Sequence, residues 1–245
     1  KDASKRFGGL VANDRMSFRV RAGEVLALIG PNGAGKSTLF DGISGVDPLT
    51  SGAVSFRGER IESLPAREVA RRGMSRTFQH VRLLPAMNVL ENVAVGTHLR
   101  GRKSFVAAAC RADRDEESRL LREAAAQIER CGLAGQMYEL AGSLPLGKQR
   151  LIEIARALAA DPCLLLLDEP AAGLRHLEKQ ARANLLRRLR AEGMGILLVE
   201  HDMDFVMGLA DRVVVMEFGQ KLAAGLPDDI QRNPAVIEAY LGGVE

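Results

Sequence analysis

The chain has 245 residues, of which 47% are apolar, 27% are charged and only 4% are aromatic. That composition is typical of a globular protein with enough apolar material for one large core, and we expect one intertwined α/β unit spanning residues 1–245. The net charge of +3 is too small to indicate nucleic acid or an anionic membrane as the main partner.

The sequence contains no apolar stretch near the ~20 residues that a membrane-spanning helix needs, and it opens without a secretory leader pattern. We therefore expect that the chain does not enter the bilayer. It starts at Lys1 without a methionine and shortly before Phe7, so we expect a first strand that has been cut short. Three widely spaced cysteines, Cys110, Cys131 and Cys163, indicate neither a disulfide framework nor a zinc site and fit a reducing compartment.

The first strong motif is VLALIGPNGAGKSTLF, residues 25–40, in which an apolar strand, a loop of pattern GxxxxGK[ST] and an apolar helical run follow each other. Its glycines allow main-chain N–H groups to point at phosphate oxygens, and the helix N-terminus adds a positive dipole. Lys36 would reach the outer phosphates and Ser37 would ligate Mg²⁺. A glycine-rich turn that merely joins strand to helix is the alternative. The predicted nucleotide-binding residues of this loop are Gly30, Pro31, Asn32, Gly33, Ala34, Gly35, Lys36, Ser37 and Thr38.

Around this loop, residues 1–80 are expected to supply antiparallel strands, among them MSFRV and AVSFRG, whereas residues 81–158 look mostly helical. In the segment that starts at Asp113, one apolar stripe predicts an amphipathic helix with acids in its first turns: Leu120, Ala124, Ile128 and Cys131. Two sets of arginines at helical spacing are interpreted as solvated helix faces without chemistry: Arg67, Arg71, Arg72 and Arg76, and Arg182, Arg187, Arg188 and Arg190.

The segment CLLLLDEPAAGL, residues 163–174, places four leucines directly before two acids. Taken alone, it fits a strand whose acids simply meet water at the surface. With a phosphate loop in the same chain, a second interpretation gains weight, because parallel strands collect ligands at their carboxyl ends. Asp168 would then hold Mg²⁺ through water, Glu169 would polarise a water in line with the γ-phosphate, and Pro170 would end the strand.

Two further apolar strands are expected near residues 196–199 and 213–216, separated from the acidic strand and from each other by helices. The C-terminal sequence NPAVIEAYLGG predicts a short helix.

Several motifs between and after these segments carry a resemblance: RTFQHVRLLPAMNVLENV (76–93), SLPLGKQRLIEIARALAADP (143–162), AAGL after the acid pair, and GILLVEHDM (195–203). As an ordered set, the chain resembles the ATP-binding subunits of ABC transporters over essentially its whole length. The resemblance implies an α/β P-loop NTPase (RecA-like) core from residues 1–80 and 159–245, with an antiparallel β subdomain and an inserted α-helical subdomain at 81–158. It also implies an ATPase that uses ATP and Mg²⁺.

The same resemblance implies roles for residues that would be unremarkable alone. Phe7 looks like the aromatic that stacks on adenine, although an isolated phenylalanine is more often core. Gln79 looks like the residue that links Mg²⁺ and the attacking water to the membrane partner. His201 looks like the switch histidine that contacts the γ-phosphate, although a lone histidine at a strand end is more often structural. The implied catalytic residues are Glu169, His201, Gln79 and Lys36, and the implied metal ligands are Ser37, Gln79 and Asp168.

The signature segment departs from the family pattern Leu-Ser-Gly-Gly-Gln. This chain has Leu144, Pro145, Leu146, Gly147 and Lys148. Proline removes a hydroxyl and an N–H group but suits the first turn of a helix, so we expect a weakened signature that still faces a phosphate. Arg175, where the family usually has aspartate or asparagine, puts the loop contact across the dimer in doubt.

The resemblance implies that two such chains, identical or related, sandwich ATP head to tail, with each signature covering the other chain's nucleotide. It further implies permease subunits in the membrane, an indirect periplasmic binding protein and a place on the inner face of the cell membrane. RTFQHVRL, VEHDM and the ending AYLGG look most like the larger ATPase subunit of branched-chain amino acid importers. Urea, amide or lipopolysaccharide systems remain alternatives. Soluble ABC proteins of repair or translation, and small-molecule kinases, fit the chain's length and its motifs less well.

Overall fold

A computed structural model describes residues 1–98 and 114–241. Asp113 of the predicted amphipathic helix, Cys110, and the two glycines that end the predicted C-terminal helix lie outside these residues. The strands are β1 (Ala3–Phe7), β2 (Leu10–Met16), β3 (Val25–Ile29), β4 (Ser55–Phe56), β5 (Glu59–Arg60), β6 (Met74–Arg76), β7 (Leu164–Asp168), β8 (Gly195–Val199), β9 (Arg212–Glu217) and β10 (Gln220–Gly225). The helices are α1 (Lys36–Ser44), α2 (Ala66–Arg71), α3 (Val89–Thr97), α4 (Arg114–Arg130), α5 (Leu146–Ala159), α6 (His176–Ala191), α7 (Met203–Leu209), α8 (Pro227–Gln231) and α9 (Pro234–Leu241).

The central sheet has six strands in the order β10-β9-β3-β8-β7-β6. Its inner strands are parallel, and only β10 runs antiparallel, against β9. The three apolar strands predicted after residue 163 are confirmed as β7, β8 and β9. Their continuous apolar sequences are explained by their position, because a central parallel strand is covered on both faces.

Alternate residues of the inner strands enter two different cores, as the two-residue period of a strand requires. Ala27 and Ile29 of β3 face one core, to which α3, α4, α5, α6 and α7 contribute side chains. Leu26 and Leu28 face the other core, which contains Leu39 and Phe40 of α1. The sheet is therefore a layer between helices, and its carboxyl edge is open for loops.

The predicted stripe of the amphipathic helix is confirmed in α4, where Ala124 and Ile128 are fully buried and Cys131 follows them into the core. Leu120 is only half-buried. Helices α3 and α5 approach closely at Gly96, where an added Cβ would lie 2.0 Å from the carbonyl oxygen of Arg156. None of the described helices is long and apolar enough to cross a membrane.

Two antiparallel strands differ from their predictions. The segment MSFRV is not a strand, because β2 ends at Met16, which pairs with the first residue of β1, Ala3. Residues 17–20 lie beyond that ladder, although Phe18 still packs against the core. Of AVSFRG only Ser55–Phe56 is a strand, because the chain turns at once to pair with β5.

Candidate functional site

Four loops meet at the carboxyl edge of the parallel strands. The glycine loop follows β3, the acid pair ends β7, His201 follows β8, and Gln79 follows β6. The strand register places Asp168 opposite Val199, so the residues that follow β7 and β8 start side by side. The fold thus gathers residues from four distant parts of the sequence at one place.

The glycine loop is held by close main-chain contacts that require glycine. Gly30 has φ +152°, and a Cβ there would lie 2.1 Å from the carbonyl oxygen of Met216. Gly35 has φ +89°, and a Cβ there would lie 2.2 Å from the carbonyl oxygen of Ala12. The side-chain amide of Asn13, which is fully buried, donates to the carbonyl of Gly35 at 3.0 Å. Helix α1 starts at Lys36, so its first N–H groups face the concave side of a fixed loop.

Lys36 lies between the loop and the acid pair. Its ammonium donates to the carbonyls of Gly30 at 2.7 Å and Pro31 at 2.9 Å. Burial lowers the pKa of Lys36, while the charges of Glu169 and Asp168 act in the opposite direction. The amine is therefore held against the glycine loop and within electrostatic range of both acids, where the outer phosphates of a loop-bound nucleotide would need a cation.

Asp168 is almost fully enclosed, with 4% of its surface exposed. Burial raises the pKa of its carboxyl, and the Arg76 guanidinium, 3.6 Å away, partly offsets that effect. Its Oδ1 is buried and has no hydrogen-bond partner among the described residues. A buried, unpaired carboxylate oxygen fits a hydrated Mg²⁺, which is bound through one or two carboxylates and its own waters. The surface interpretation of this acid is thus wrong.

Arg76 corrects the prediction of a solvated arginine face. It belongs to strand β6 rather than to a helix, and only 9% of its side chain is exposed. The guanidinium pairs with Asp41 of α1 at 2.5 Å and approaches Asp168. Its Cζ also lies 5.0 Å from the centroid of the Phe78 ring, and Phe78 directly precedes Gln79. Arg76 therefore connects the segment that leads to Gln79 with α1 and with strand β7.

Glu169 lies outside the strand, in a turn with φ +47°, a conformation that non-glycine residues rarely adopt. Its carboxylate meets side chains from two of the other loops. Its Oε1 accepts from the side-chain amide of Gln79 at 3.3 Å and lies 3.8 Å from Nδ1 of His201. The three predicted polar residues thus surround one point at the mouth of the site.

Glu200 is a residue of the site that the sequence did not reveal. It is completely buried beside the acid pair, and burial raises the pKa of its carboxyl. Its oxygens accept from the main-chain N–H groups of Ala171 at 2.6 Å and His201 at 3.1 Å. Glu200 therefore joins the turn that contains Glu169 to the segment that contains His201. The dipeptide Glu-His after β8 was the available signal.

Phe7 is 47% exposed at the end of β1, so it is not a core residue. The Lys5 ammonium lies 4.9 Å from its ring. Strand β1 pairs with β2, whose Ala12 and Asn13 touch the glycine loop at Gly35. The ring is thus on the β-pair that borders the loop.

The signature segment stands at the start of α5. Leu144 is buried, Pro145 is the N-cap rather than a first-turn residue, and Leu146 is half-exposed. A Cβ at Gly147 would lie 2.9 Å from the Glu178 carboxylate, so the start of α5 comes close to α6. Among the described residues, no hydrogen bond or ion pair joins this segment to the glycine loop of the same chain.

Arg175 starts α6 as its N-cap residue, and its main-chain N–H donates to Glu178 at 2.8 Å. Its local role is therefore that of a helix start, to which it contributes through its main-chain N–H and not through a side-chain cap.

Comparisons with known proteins agree with this geometry. A family model described as ABC transporter matches residues 13–172, and one described as branched-chain amino acid ATP-binding cassette transporter matches residues 220–245. The chain is 43% identical over 240 residues to the high-affinity branched-chain amino acid transport ATP-binding protein LivG of Salmonella typhimurium, covering 97% of this chain and 94% of that protein. The corresponding protein BraF of Pseudomonas aeruginosa is 42% identical over the same shares.

Solved structures agree as well. A nucleotide-free ATP-binding cassette from an ABC transporter superposes with a TM-score of 0.87 at 32% identity, covering 98% of this chain and 96% of that one. The ADP conformation of such a cassette superposes equally well, at 33% identity.

Proposed function

The chain belongs to the ATP-binding subunits of ABC transporters, and on that premise we propose that it powers an importer for branched-chain or related amino acids. It binds nucleotide and hydrolyses ATP. The observation that carries the catalytic part of the proposal is the position of Glu169, whose carboxylate has both Gln79 and His201 as neighbours. The amino acid cargo is supported by the matched C-terminal family segment and by the names of the relatives.

In the proposed reaction, the amides of residues 30–38 and the Lys36 ammonium hold the triphosphate. Ser37, Gln79 and Asp168 would hold Mg²⁺, which neutralises charge on the phosphates when it is bound. Glu169 accepts a proton from a water as that water's oxygen bonds to the γ-phosphorus. The bond to the ADP oxygen breaks, and ADP and phosphate are released. His201 donates a hydrogen bond to a γ-phosphate oxygen, and Phe7 offers its ring to adenine.

One chain is incomplete for this reaction in our proposal, because its signature segment has no bond to its own glycine loop among the described residues. A second chain, identical or related, would present Leu144, Pro145, Leu146, Gly147 and Lys148 to the nucleotide. Closure on ATP and reopening after hydrolysis would then be relayed to permease subunits through residues 79–91, which lead into the helical segment 81–158. The chain would sit on the inner face of the membrane and reach a periplasmic binding protein only indirectly.

The test is isolation of the intact membrane complex, identification of its subunits and reconstitution in lipid vesicles. We expect permeases and an ATPase pair, and phosphate release that rises when the binding protein carries leucine, isoleucine or valine. Stimulation by urea, an amide or a lipopolysaccharide instead would overturn the amino acid assignment. Transfer of phosphate to an acceptor other than water would overturn the ATPase assignment itself.

A further inference from the structure

Arg182 is buried where the sequence predicted a solvated arginine face. Only 2% of its surface is exposed, whereas Arg187 and Arg188 on the same helix, α6, are exposed as predicted. No carboxylate in residues 1–98 and 114–241 comes within ion-pair distance of its guanidinium. Burial lowers the pKa of Arg182 to about 10, so the side chain remains charged at neutral pH. A buried cation without a paired acid is costly and needs another explanation.

The guanidinium joins two segments of the proposed catalytic machinery. Its Nη1 donates to the carbonyl of Pro170 at 2.8 Å, and Pro170 directly follows Glu169. Its Nη2 donates to the carbonyl of Gly147 at 3.3 Å, in the first turn of α5. One rigid, planar group thus connects the turn that aims Glu169 with the signature segment.

Arg150 makes a second connection between the same two parts. It extends from α5, and its Nη1 donates to the carbonyl of Glu169. The Nε atoms of Arg150 and Arg182 are both buried and have no hydrogen-bond partner among the described residues. Both arginines line a small cavity together with Thr77 and Asp168. The two arginines that connect α5 to the Glu169 turn therefore lie beside strand β7 and not on the surface.

The chain also fits closely around this connection. At Gly147, an added Cβ would come within 3.1 Å of Leu174 and 2.9 Å of Glu178. The start of α5 therefore lies directly against the chain that runs from the Glu169 turn into α6. The turn is held on its other side by Glu200, which accepts from Ala171. The Glu169 turn and the signature segment are therefore joined by the hydrogen bonds of Arg182 and packed closely together.

We propose that Arg182 is a positioning residue for ATP hydrolysis, which makes the turn of Glu169 and the signature segment of the same chain move as one unit. The inference rests on the proposed function, because the signature segment would serve the nucleotide bound to the second chain. The Glu169 turn serves the nucleotide bound to its own chain. Its conformation would then set the position of the signature segment, which serves the nucleotide bound to the second chain. Arg182 acts in this proposal through the carbonyls of Pro170 and Gly147, and it is not one of the residues proposed to bind nucleotide.

The experiment compares Arg182→Leu and Arg182→Lys with Arg187→Leu, an exposed arginine on the same helix, in the assembled ATPase. For Arg182→Leu we expect kcat to fall at least tenfold while the affinity for Mg-ATP changes less than twofold. Arg182→Lys can still donate to one carbonyl and should recover part of kcat. The control variant should match the wild type. Unchanged kcat in Arg182→Leu, or weaker nucleotide binding with unchanged kcat, would overturn the inference.

Hydrogen exchange in the nucleotide-free chain separates this inference from the proposed function. Arg182→Leu should speed exchange both at residues 169–172 and at residues 146–149, with no change in α2. Acceleration at only one of the two segments, or at neither, would refute the coupling even if the wild type hydrolyses ATP. A wild type that exchanges as expected but transports another cargo would instead overturn the proposed function alone.

Discussion

The side-chain amide of Gln79 donates to the carboxylate of Glu169 at 3.3 Å, although the two residues are 90 positions apart in the sequence. This contact exists because β6 pairs with β7 in parallel, which brings the residues that follow the two strands to the same edge. In the proposed function a membrane partner would move the segment that contains Gln79. That segment is hydrogen-bonded to Glu169, the residue that would activate water. The relationship suggests how permease and hydrolysis are coupled in the proposed function.

His201 is expected to act on the chemical step rather than on binding. Its side chain is 58% exposed, and its Nδ1 lies 3.8 Å from Glu169. His201→Ala removes one donor for the γ-phosphate, which costs roughly 10²–10³ in kcat at comparable sites. Steady-state phosphate release should show that loss with nearly unchanged KM, and His176→Ala on α6 is the matched control. A higher KM with an intact kcat would assign His201 to ground-state binding instead.

Asp168→Asn should stabilise the nucleotide-free chain while it abolishes Mg²⁺-dependent nucleotide binding. Burial raises the pKa of Asp168 above its ordinary value, so the wild type loses stability as pH rises through the folded pKa. Asparagine cannot ionise. The difference in the free energy of unfolding between Asp168→Asn and the wild type should therefore grow from about pH 4 upward and then level off. Urea unfolding across this range measures it. Asp228→Asn, at an exposed position of α8, is the control variant in the same measurement. A gain for Asp168→Asn that shrinks as pH rises would contradict the assignment.

The glycine loop offers a matched pair of substitutions. Gly33 has φ +82° but open space around an added Cβ, so Gly33→Ala should cost only the strain of the backbone conformation, about 1–2 kcal/mol. Gly35→Ala adds a clash with the main chain of Ala12 and should cost at least about 3 kcal/mol and nucleotide affinity as well. Thermal unfolding and nucleotide titration of both variants check this order. Equal losses would mean that the close contact with β2 is unimportant.

Pro145→Ser tests the weakened signature. Pro145 is the N-cap of α5 and makes no side-chain capping hydrogen bond. Serine at that position supplies a hydroxyl and an N–H group, so it should stabilise the helix start by about 1 kcal/mol and raise ATP turnover in the assembled dimer. Ser143→Ala, two residues earlier, serves as a control outside the helix. Lower turnover in Pro145→Ser would show that proline is the better residue at this signature.

The sequence predicted the elements whose signals are local. The glycine loop, β7 and β8 were predictable because a burial pattern and a motif coincide in each short segment. Glu200, Arg76 and Arg182 were not, because their roles depend on which strands and helices become neighbours in the fold. Arg182 shares its spacing with Arg187, which is exposed, and spacing alone cannot separate the two. The segment MSFRV alternates like a strand, but a strand also needs a partner, and β1 begins opposite Met16.

The central claim, that Glu169 governs hydrolysis, is tested most directly by parallel measurement of phosphate release and Mg-ATP binding in the wild type and in Glu169→Gln. Glutamine keeps the size of the side chain but cannot accept the proton, so release should fall by about 10²–10⁴ while nucleotide binding and ATP-dependent dimerisation persist. Glu129→Gln, on the exposed side of α4, should leave both unchanged. Undiminished phosphate release by Glu169→Gln would contradict the account.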